Sequence, residues 1–293
     1  MRHLLPVAAL ALVAAAPPPK YATPPSVLGE SRASEWQAIP ADDLMVIDLK
    51  DGRRVVVQLA PLFAPVHVAN IRALAKSGYW QGAAIYRVQD NYVAQWGNND
   101  SEKKLPPGVV EKPPAEYARP LAGLKITPLG SPDPYAPKVG YTAGWPVAYD
   151  PKGGTANLPH CYASVGVGRG LSPDTGMGGE LYAAIGHAPR SLDRVIAVAG
   201  RVVSGIDVMS SLPRGTDALG FYKERSSDVP IANVRLASQL PEGERPKFEY
   251  LKETSASFAR WLNVKKNRRD EFYIRPAGGV DLCNATVPVR PKA

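Results

Sequence analysis

From Leu44 onward, short apolar runs alternate with turn residues. Met45-Val46-Ile47-Asp48-Leu49, the Asp51-Gly52 pair and residues 53–59 predict two strands joined at a glycine-containing turn. Pro65 then opens a stretch of helical period reaching about Lys76, proline being tolerated in a first turn. Val66, Ala69, Ala73 and Leu74 fall on one face of it, and Gly78 lies just past its end. Residues 84–88 and 92–96 read as two more strands, and β-rich texture returns at 162–167, 181–185 and 195–203. Residues 206–212 form a short helix candidate. Many short strands and few helices predict a closed or sandwiched all-β domain.

Three stretches depart from that texture. Residues 101–160 scatter proline and glycine with little periodicity, which predicts a long irregular excursion of the functional or self-packed kind. Residues 16–43 begin with three prolines and read as a tether followed by a docking segment around Trp36. Residues 216–293 read as an appendix that does not fold alone. Within it, Phe258, Trp261, Leu262 and Lys265 recur at helical steps over 255–268, with Phe258 and Trp261 as a docking face, while 271–274 and 280–289 are expected to be extended.

Composition adds limits. In 293 residues, 45% hydrophobic and 21% charged is an ordinary globular balance, and 30 prolines agree with long irregular connections. The net charge of +8 permits non-specific attraction to polyanions. The basic residues are scattered, however, and the one dense cluster (Lys265, Lys266, Arg268, Arg269) comes with no nucleic-acid-reading motif. It reads as a solvated surface, and no nucleic-acid partner is expected.

Arg2 and His3 precede the apolar run 4–15, which ends in small residues. This is the layout of a secretory signal cut after Ala15, so 1–15 is expected to be removed and the mature chain to reside in the periplasm. The run is shorter than the roughly 20 apolar residues a membrane helix needs, so no stable membrane span is expected. Export to an oxidising compartment favours a disulfide between the two cysteines, Cys161 and Cys283, over two unrelated thiols.

Standard catalytic constellations are missing. The chain has no Gly-x-Ser-x-Gly elbow and no phosphate loop, and Gly166-Val167-Gly168-Arg169-Gly170 has the wrong spacing for a dinucleotide fingerprint. The four histidines lack ligand spacing; His160 beside Cys161 would give only two ligands, so neither metal nor cofactor is expected. What stands out is Tyr86-Arg87-Val88-Gln89-Asp90-Asn91-Tyr92-Val93-Ala94-Gln95-Trp96-Gly97-Asn98. Period-two geometry puts Arg87 and Gln95 on strands flanking a short turn, beside Tyr92 and Val93. That set suits a groove for an extended peptide, with donors for carbonyls and a dry pocket for an apolar ring. It equally suits a plain hairpin with an exposed arginine and a core tyrosine.

The segment resembles the signature of the cyclophilin-type peptidyl-prolyl cis-trans isomerases, aromatic-x-Arg-aliphatic followed by Phe-Met-x-Gln-Gly-Gly-Asp. Arg87 stands at the family's catalytic arginine, Tyr92 and Val93 at its phenylalanine and methionine, and Gln95 at its groove glutamine. Ala64-Pro65, Val68-Ala69-Asn70 and Ala73-Leu74 are similar to the family's first helix, and Gly179 to Ile185 to its Ser-Gln-Phe-Phe-Ile strand. Leu192-Asp193 and Val198 to Gly205 resemble its Leu-Asp-Gly-x-x-x-x-Phe-Gly-x-Val-x-x-Gly.

The resemblance implies a mainly β fold: a closed eight-stranded barrel with two capping helices over 44–215, with 216–293 an α/β appendix packed outside it. It implies isomerisation of X-Pro bonds in exported clients, with Arg87 and Gln95 catalytic, Tyr92, Val93, Tyr182 and Leu192 lining the proline pocket, and a monomer without cofactor. The rim departs from the pattern: Ser191 replaces a tryptophan, Ile196 a groove histidine, Glu180 a glutamine and Trp96 a glycine. The readings these departures leave open are a peptide-binding or chaperone module that has lost rate, and an envelope assembly protein working through its long loop and appendix. The lost tryptophan also implies a weaker contact with cyclosporin.

Overall fold

The structure is a computed structural model that describes residues 21–98 and 103–292. The expected signal segment, 1–15, and residues 16–20 of the tether lie outside the described residues. A short helix α1 (Pro24–Gly29) is capped by Thr23, whose hydroxyl accepts from Ser26 N. The segment then enters strand β1 (Trp36–Ala38), with Trp36 buried.

Two strands follow as the pattern predicts, β2 (Leu44–Leu49) and β3 (Arg54–Leu59), paired antiparallel across the Asp51-Gly52 turn. Met45, Ile47 and Leu49 face the barrel core, whereas Leu44 and Val46 pack outward against Ile39, Leu240 and Phe248. Both faces are covered, which is why the segment reads as a continuous apolar run.

Helix α2 (Pro65–Lys76) has proline at its first turn, but its buried face is not the one the apolar spacing selects. Val68, Ile71, Leu74 and Ala75 enter the core together with the polar His67 and Asn70, while Ala69 is exposed. The two polar residues are clamps. His67 Nδ1 lies 2.6 Å from Glu116 Oε2, and the Asn70 amide donates to the carbonyls of Val110 and Met177 at 2.8 and 2.9 Å. A buried polar side chain is tolerated when satisfied in this way.

After β4 (Ala84–Val88) and β5 (Val93–Gly97) comes the stretch expected to be irregular, which instead builds a sheet. Strands β6 (Arg119–Pro120), β7 (Thr127–Pro128), β8 (Lys138–Thr142), β9 (Trp145–Asp150) and β10 (Thr155–Asn157) lie in the antiparallel order β6-β10-β9-β8-β7. The β8–β9 turn uses Ala143 (φ 50°) and Gly144 (φ 80°), the positive pair of a two-residue hairpin, and Glu253 accepts from both amides at 2.7 and 3.0 Å.

The chain returns to the barrel with β11 (Ser164–Val167), β12 (Leu181–Ala184) and β13 (Val198–Ser204), followed by the short helix α3 (Ile206–Ser210), which buries Met209. The eighth barrel strand lies beyond the boundary at 215. Strand β14 (Val229–Leu236) pairs with β2 and β4 and closes the order β11-β12-β5-β4-β14-β2-β3-β13. Its Ile231, Val234 and Leu236 complete the core, so the barrel cannot end before them.

The final segment contains β15 (Phe248–Leu251), α4 (Ala256–Asn267) and β16 (Val289–Pro291), with β15 paired between β1 and β16. Residues 271–274 are not extended strand; Phe272 and Ile274 are largely exposed, and of 280–289 only the end enters a strand, after a 3-10 turn at Leu282–Ala285. Phe258, Trp261 and Leu262 of α4 share one core with Trp36, with Leu129, Val139 and Tyr141 of the insertion, and with Leu282 and Val287. The entry segment, the insertion and the C-terminal segment thus bury their apolar faces against one another. A disulfide of 2.06 Å joins Cys161 to Cys283. Among the described residues no helix is long and apolar enough to cross a membrane.

Candidate active site

The barrel register sets four residues side by side on its outer face. Arg87 pairs with Gln95, Gln95 with Tyr182, and Tyr182 with Gly166, a row across β4, β5, β12 and β11. Their strand neighbours Ala94, Trp96, Leu181 and Ala183 fill the interior, so period-two alternation points the row outward.

Arg87 is held at three of its five N–H groups. Nη1 donates to Gln95 Oε1 at 2.9 Å, Nη2 to Gln89 Oε1 at 2.6 Å and Nε to the Leu219 carbonyl at 2.7 Å. Among the described residues one N–H on each terminal nitrogen is left without an acceptor. The guanidinium also lies 5.8 Å from the Tyr92 ring centroid and 5.3 Å from that of Phe221. Burial lowers its pKa from the ordinary value, but an arginine so placed stays charged. The loop bearing Leu219 and Phe221 is fixed by a close approach: Gly220, at φ 79°, lies where a Cβ would come within 2.6 Å of Gln89 Cα.

The Gln95 amide is engaged within the protein at both ends. Its oxygen accepts from Arg87, and its Nε2 donates to Tyr86 Oη at 2.9 Å and Glu180 Oε2 at 3.2 Å. Burial, and then the Glu180 charge, push the Tyr86 phenol well above its ordinary range. A cleft of about 390 Å³ opens beside this cluster, lined by Tyr86, Gln95, Glu180, Phe221, Tyr222 and Asp228 among others.

Tyr182 is buried, and its ring lies across β11, where a Cβ on Gly166 would meet its Oη and Cζ at 2.3 Å. The hydroxyl lies 3.0 Å from His160 Nε2. Asp193 accepts from His160 N at 2.8 Å, stands 3.1 Å from His160 Nδ1, and takes Arg190 Nε at 2.7 Å on its other oxygen. An ionised carboxylate only accepts, so the hydrogen sits on Nδ1 and the Tyr182 hydroxyl donates to Nε2. Arg190 continues the chain into the insertion through a bidentate pair with Asp133, at 2.9 and 3.0 Å. Val93 is buried opposite Ala184 on the same outer face as Tyr182. Tyr92 is half-buried under Arg87; Leu192 is half-buried at the end of the 3-10 turn Ala188–Leu192, with Ile196 N returning to its carbonyl at 3.3 Å.

The structure therefore brings Arg87, Gln95, Tyr92, Val93 and Tyr182 to one face, with Leu192 arriving from a separate element. Sequence reasoning missed Gln89, Glu180, His160, Leu219 and Phe221 as their partners, because each acts through register or loop placement rather than local spacing. Among the described residues no cluster of His, Cys, Asp and Glu is arranged to hold a metal ion.

Residues 44–238 match the family model of the cyclophilin type peptidyl-prolyl cis-trans isomerases. A protein named probable peptidyl-prolyl cis-trans isomerase from Brucella suis biovar 1 is 24% identical over 181 residues, covering 62% of this chain and 76% of its own length. Its namesake from Brucella abortus strain 2308 is 23% identical over the same span. The crystal structure of cyclophilin AquaCyp293 from Hirschia baltica superposes with a TM-score of 0.68 at 21% identity, covering 92% of this chain and 97% of that one. That likeness of fold extends through the insertion and the C-terminal segment.

Proposed function

The chain belongs to the cyclophilin-type family of peptidyl-prolyl cis-trans isomerases, and on that premise we propose that it isomerises X-Pro bonds of exported proteins at the face of Arg87. Rotation about such a bond opposes a barrier of about 18–20 kcal/mol, and uncatalysed it takes roughly 10–100 s. The barrier falls when the amide loses resonance and its nitrogen becomes pyramidal. In this reading the two N–H groups that Arg87 keeps uncommitted donate to that nitrogen and to the neighbouring carbonyl. Three internal acceptors pre-set the fork, so little reorganisation accompanies reaction.

Gln95 acts in this reading chiefly by holding Arg87, while Tyr92, Val93, Tyr182 and Leu192 give the proline ring an apolar seat. The observation that carries the reading is the cross-strand row of Arg87, Gln95 and Tyr182 on one face. Clients in the periplasm are supported by the N-terminal pattern of residues 1–15 and agree with the Cys161–Cys283 disulfide.

A proline-containing tetrapeptide, followed by a cis-specific cleavage or by exchange spectroscopy, tests the activity. Catalysis well above the uncatalysed rate is expected; a rate equal to it leaves the peptide-binding module as the better reading. Mass spectrometry of the protein from its native host tests export. A mature start near Ala16 is expected, and an intact Met1 in the cytosol counts against it.

A further inference from the structure

On the side of the barrel wall away from Arg87, the edge of β11, strand β13, the inserted sheet and the C-terminal strand enclose a cavity of about 240 Å³. This is slightly below the range of about 300–1,000 Å³ usual for drug-sized ligands. Its wall is mostly apolar, with Trp145, Leu158, Val198, Val202 and Val287, and the Ser164 hydroxyl in that wall already donates to the Pro159 carbonyl at 3.1 Å.

The exception is Arg201. Among the described residues its guanidinium makes one hydrogen bond, from Nε to Gln58 Oε1 at 2.9 Å. Nη2 is buried with no acceptor, and no carboxylate among the described residues pairs with the group. It also lies over the Trp145 ring, with Cζ 4.6 Å from the centroid, and near the Tyr250 phenol, which is neutral at neutral pH and brings no compensating charge. Burial pulls its pKa down to about 10, so the group remains cationic at neutral pH.

A buried charge without a partner costs several kcal/mol unless something compensates it. Elsewhere this chain provides that compensation: Arg190 has Asp133 and Asp193, and Arg235 has Asp48. Arg201 faces a cavity instead. One guanidinium matches one negative charge, and its planar fork matches a carboxylate. The apolar wall suits a hydrocarbon body rather than a second charge, so a doubly charged phosphate is the poorer fit.

We propose that this cavity binds a small amphipathic carboxylate, its head on Arg201 and its apolar body against Trp145, Leu158, Val198 and Val287. The site is separate from the Arg87 face, and its ligand is not a proline peptide.

Titration of the uniformly labelled full chain with hexanoate, hexanol and hexylammonium at matched ionic strength tests this by amide chemical shifts. Hexanoate should saturate with a Kd below about 1 mM, with shifts centred on Ser164, Gly200 and Val287, and should bind at least about tenfold more tightly than hexanol. Hexylammonium should not saturate. Arg201→Gln should weaken hexanoate by about tenfold or more while hexanol is unchanged. Absence of saturation, hexanol binding as well as hexanoate, or shifts centred elsewhere would each overturn the proposal. The three-ligand series on the wild-type chain decides between these outcomes even where Arg201→Gln does not fold.

Discussion

Gly166→Ala tests how the groove floor is held. The backbone at Gly166 does not require glycine, since its φ is not in the positive region. The space does: an added Cβ would lie 2.3 Å from both Cζ and Oη of Tyr182 and 2.8 Å from Cε1. The ring cannot share that position and must tilt off β11, breaking the 3.0 Å bond to His160. Overpacking of this kind costs about 1–3 kcal/mol, and an unsatisfied buried His160 Nε2 adds about 1–3 kcal/mol. A loss of about 2–6 kcal/mol in stability is therefore expected by denaturant titration.

The same tilt moves one wall of the proposed proline seat by roughly an ångström, which typically costs up to about a hundredfold in rate. kcat/KM should fall accordingly when assayed under conditions where circular dichroism shows the variant folded. Tyr182→Phe separates the two effects: it should lose about 1–3 kcal/mol of stability through His160 but keep most of kcat/KM, because the ring stays in place. If Gly166→Ala retains wild-type stability and turnover, Tyr182 is not wedged as described and the floor lies elsewhere.

Cys161→Ser with Cys283→Ser opens a link spanning 122 residues. The chain-entropy account gives a loss of up to about 4–5 kcal/mol, read as a drop in the urea midpoint, and an unchanged midpoint refutes it. Glu35 accepts from Arg32 N and from both the amide and hydroxyl of Ser257, which hold its carboxyl at about 2 against an ordinary 4.5. Because the folded-state pKa is depressed, its stabilisation is complete above the unfolded value and is lost as pH falls from about 4.5 toward 2. Glu35→Gln should flatten that limb of the stability–pH curve, and a wild-type slope in the variant contradicts the assignment. Arg87→Lys should turn over about a hundredfold more slowly, since a single ammonium cannot reach Gln95, Gln89 and the Leu219 carbonyl while serving a substrate.

Seven barrel strands announce themselves in the sequence because each is a β-branched or aromatic run bounded by turn residues. The eighth, Val229–Leu236, does not: Pro230, Asn233 and Arg235 interrupt it, and only its pairing with β2 reveals that Ile231, Val234 and Leu236 face inward. The inserted sheet was hidden for a related reason. Its strands run from two to six residues, too short for a period to show, and Leu129, Val139 and Tyr141 gain their burial from Trp36 and Phe258, far away in the chain. The wrong face of α2 shows the limit of apolar spacing when His67 and Asn70 are buried as clamps.

At the site, Arg87 and Gln95 were legible because they sit on consecutive strands. Glu180, His160 and Leu219 reach them from 85 residues beyond Gln95, from 22 residues before Tyr182 and from 132 residues beyond Arg87. No local pattern encodes such distances.

The central claim is that Arg87, held by Gln95, Gln89 and Leu219, stabilises the twisted prolyl amide. Its most direct test is kcat/KM for a proline tetrapeptide with wild type and Arg87→Ala side by side, both confirmed folded. Removing one preorganised donor in such a site typically costs about 10²–10³ in rate, and a fall of that size is the result predicted. An Arg87→Ala variant that turns over the peptide as fast as the wild type contradicts the account.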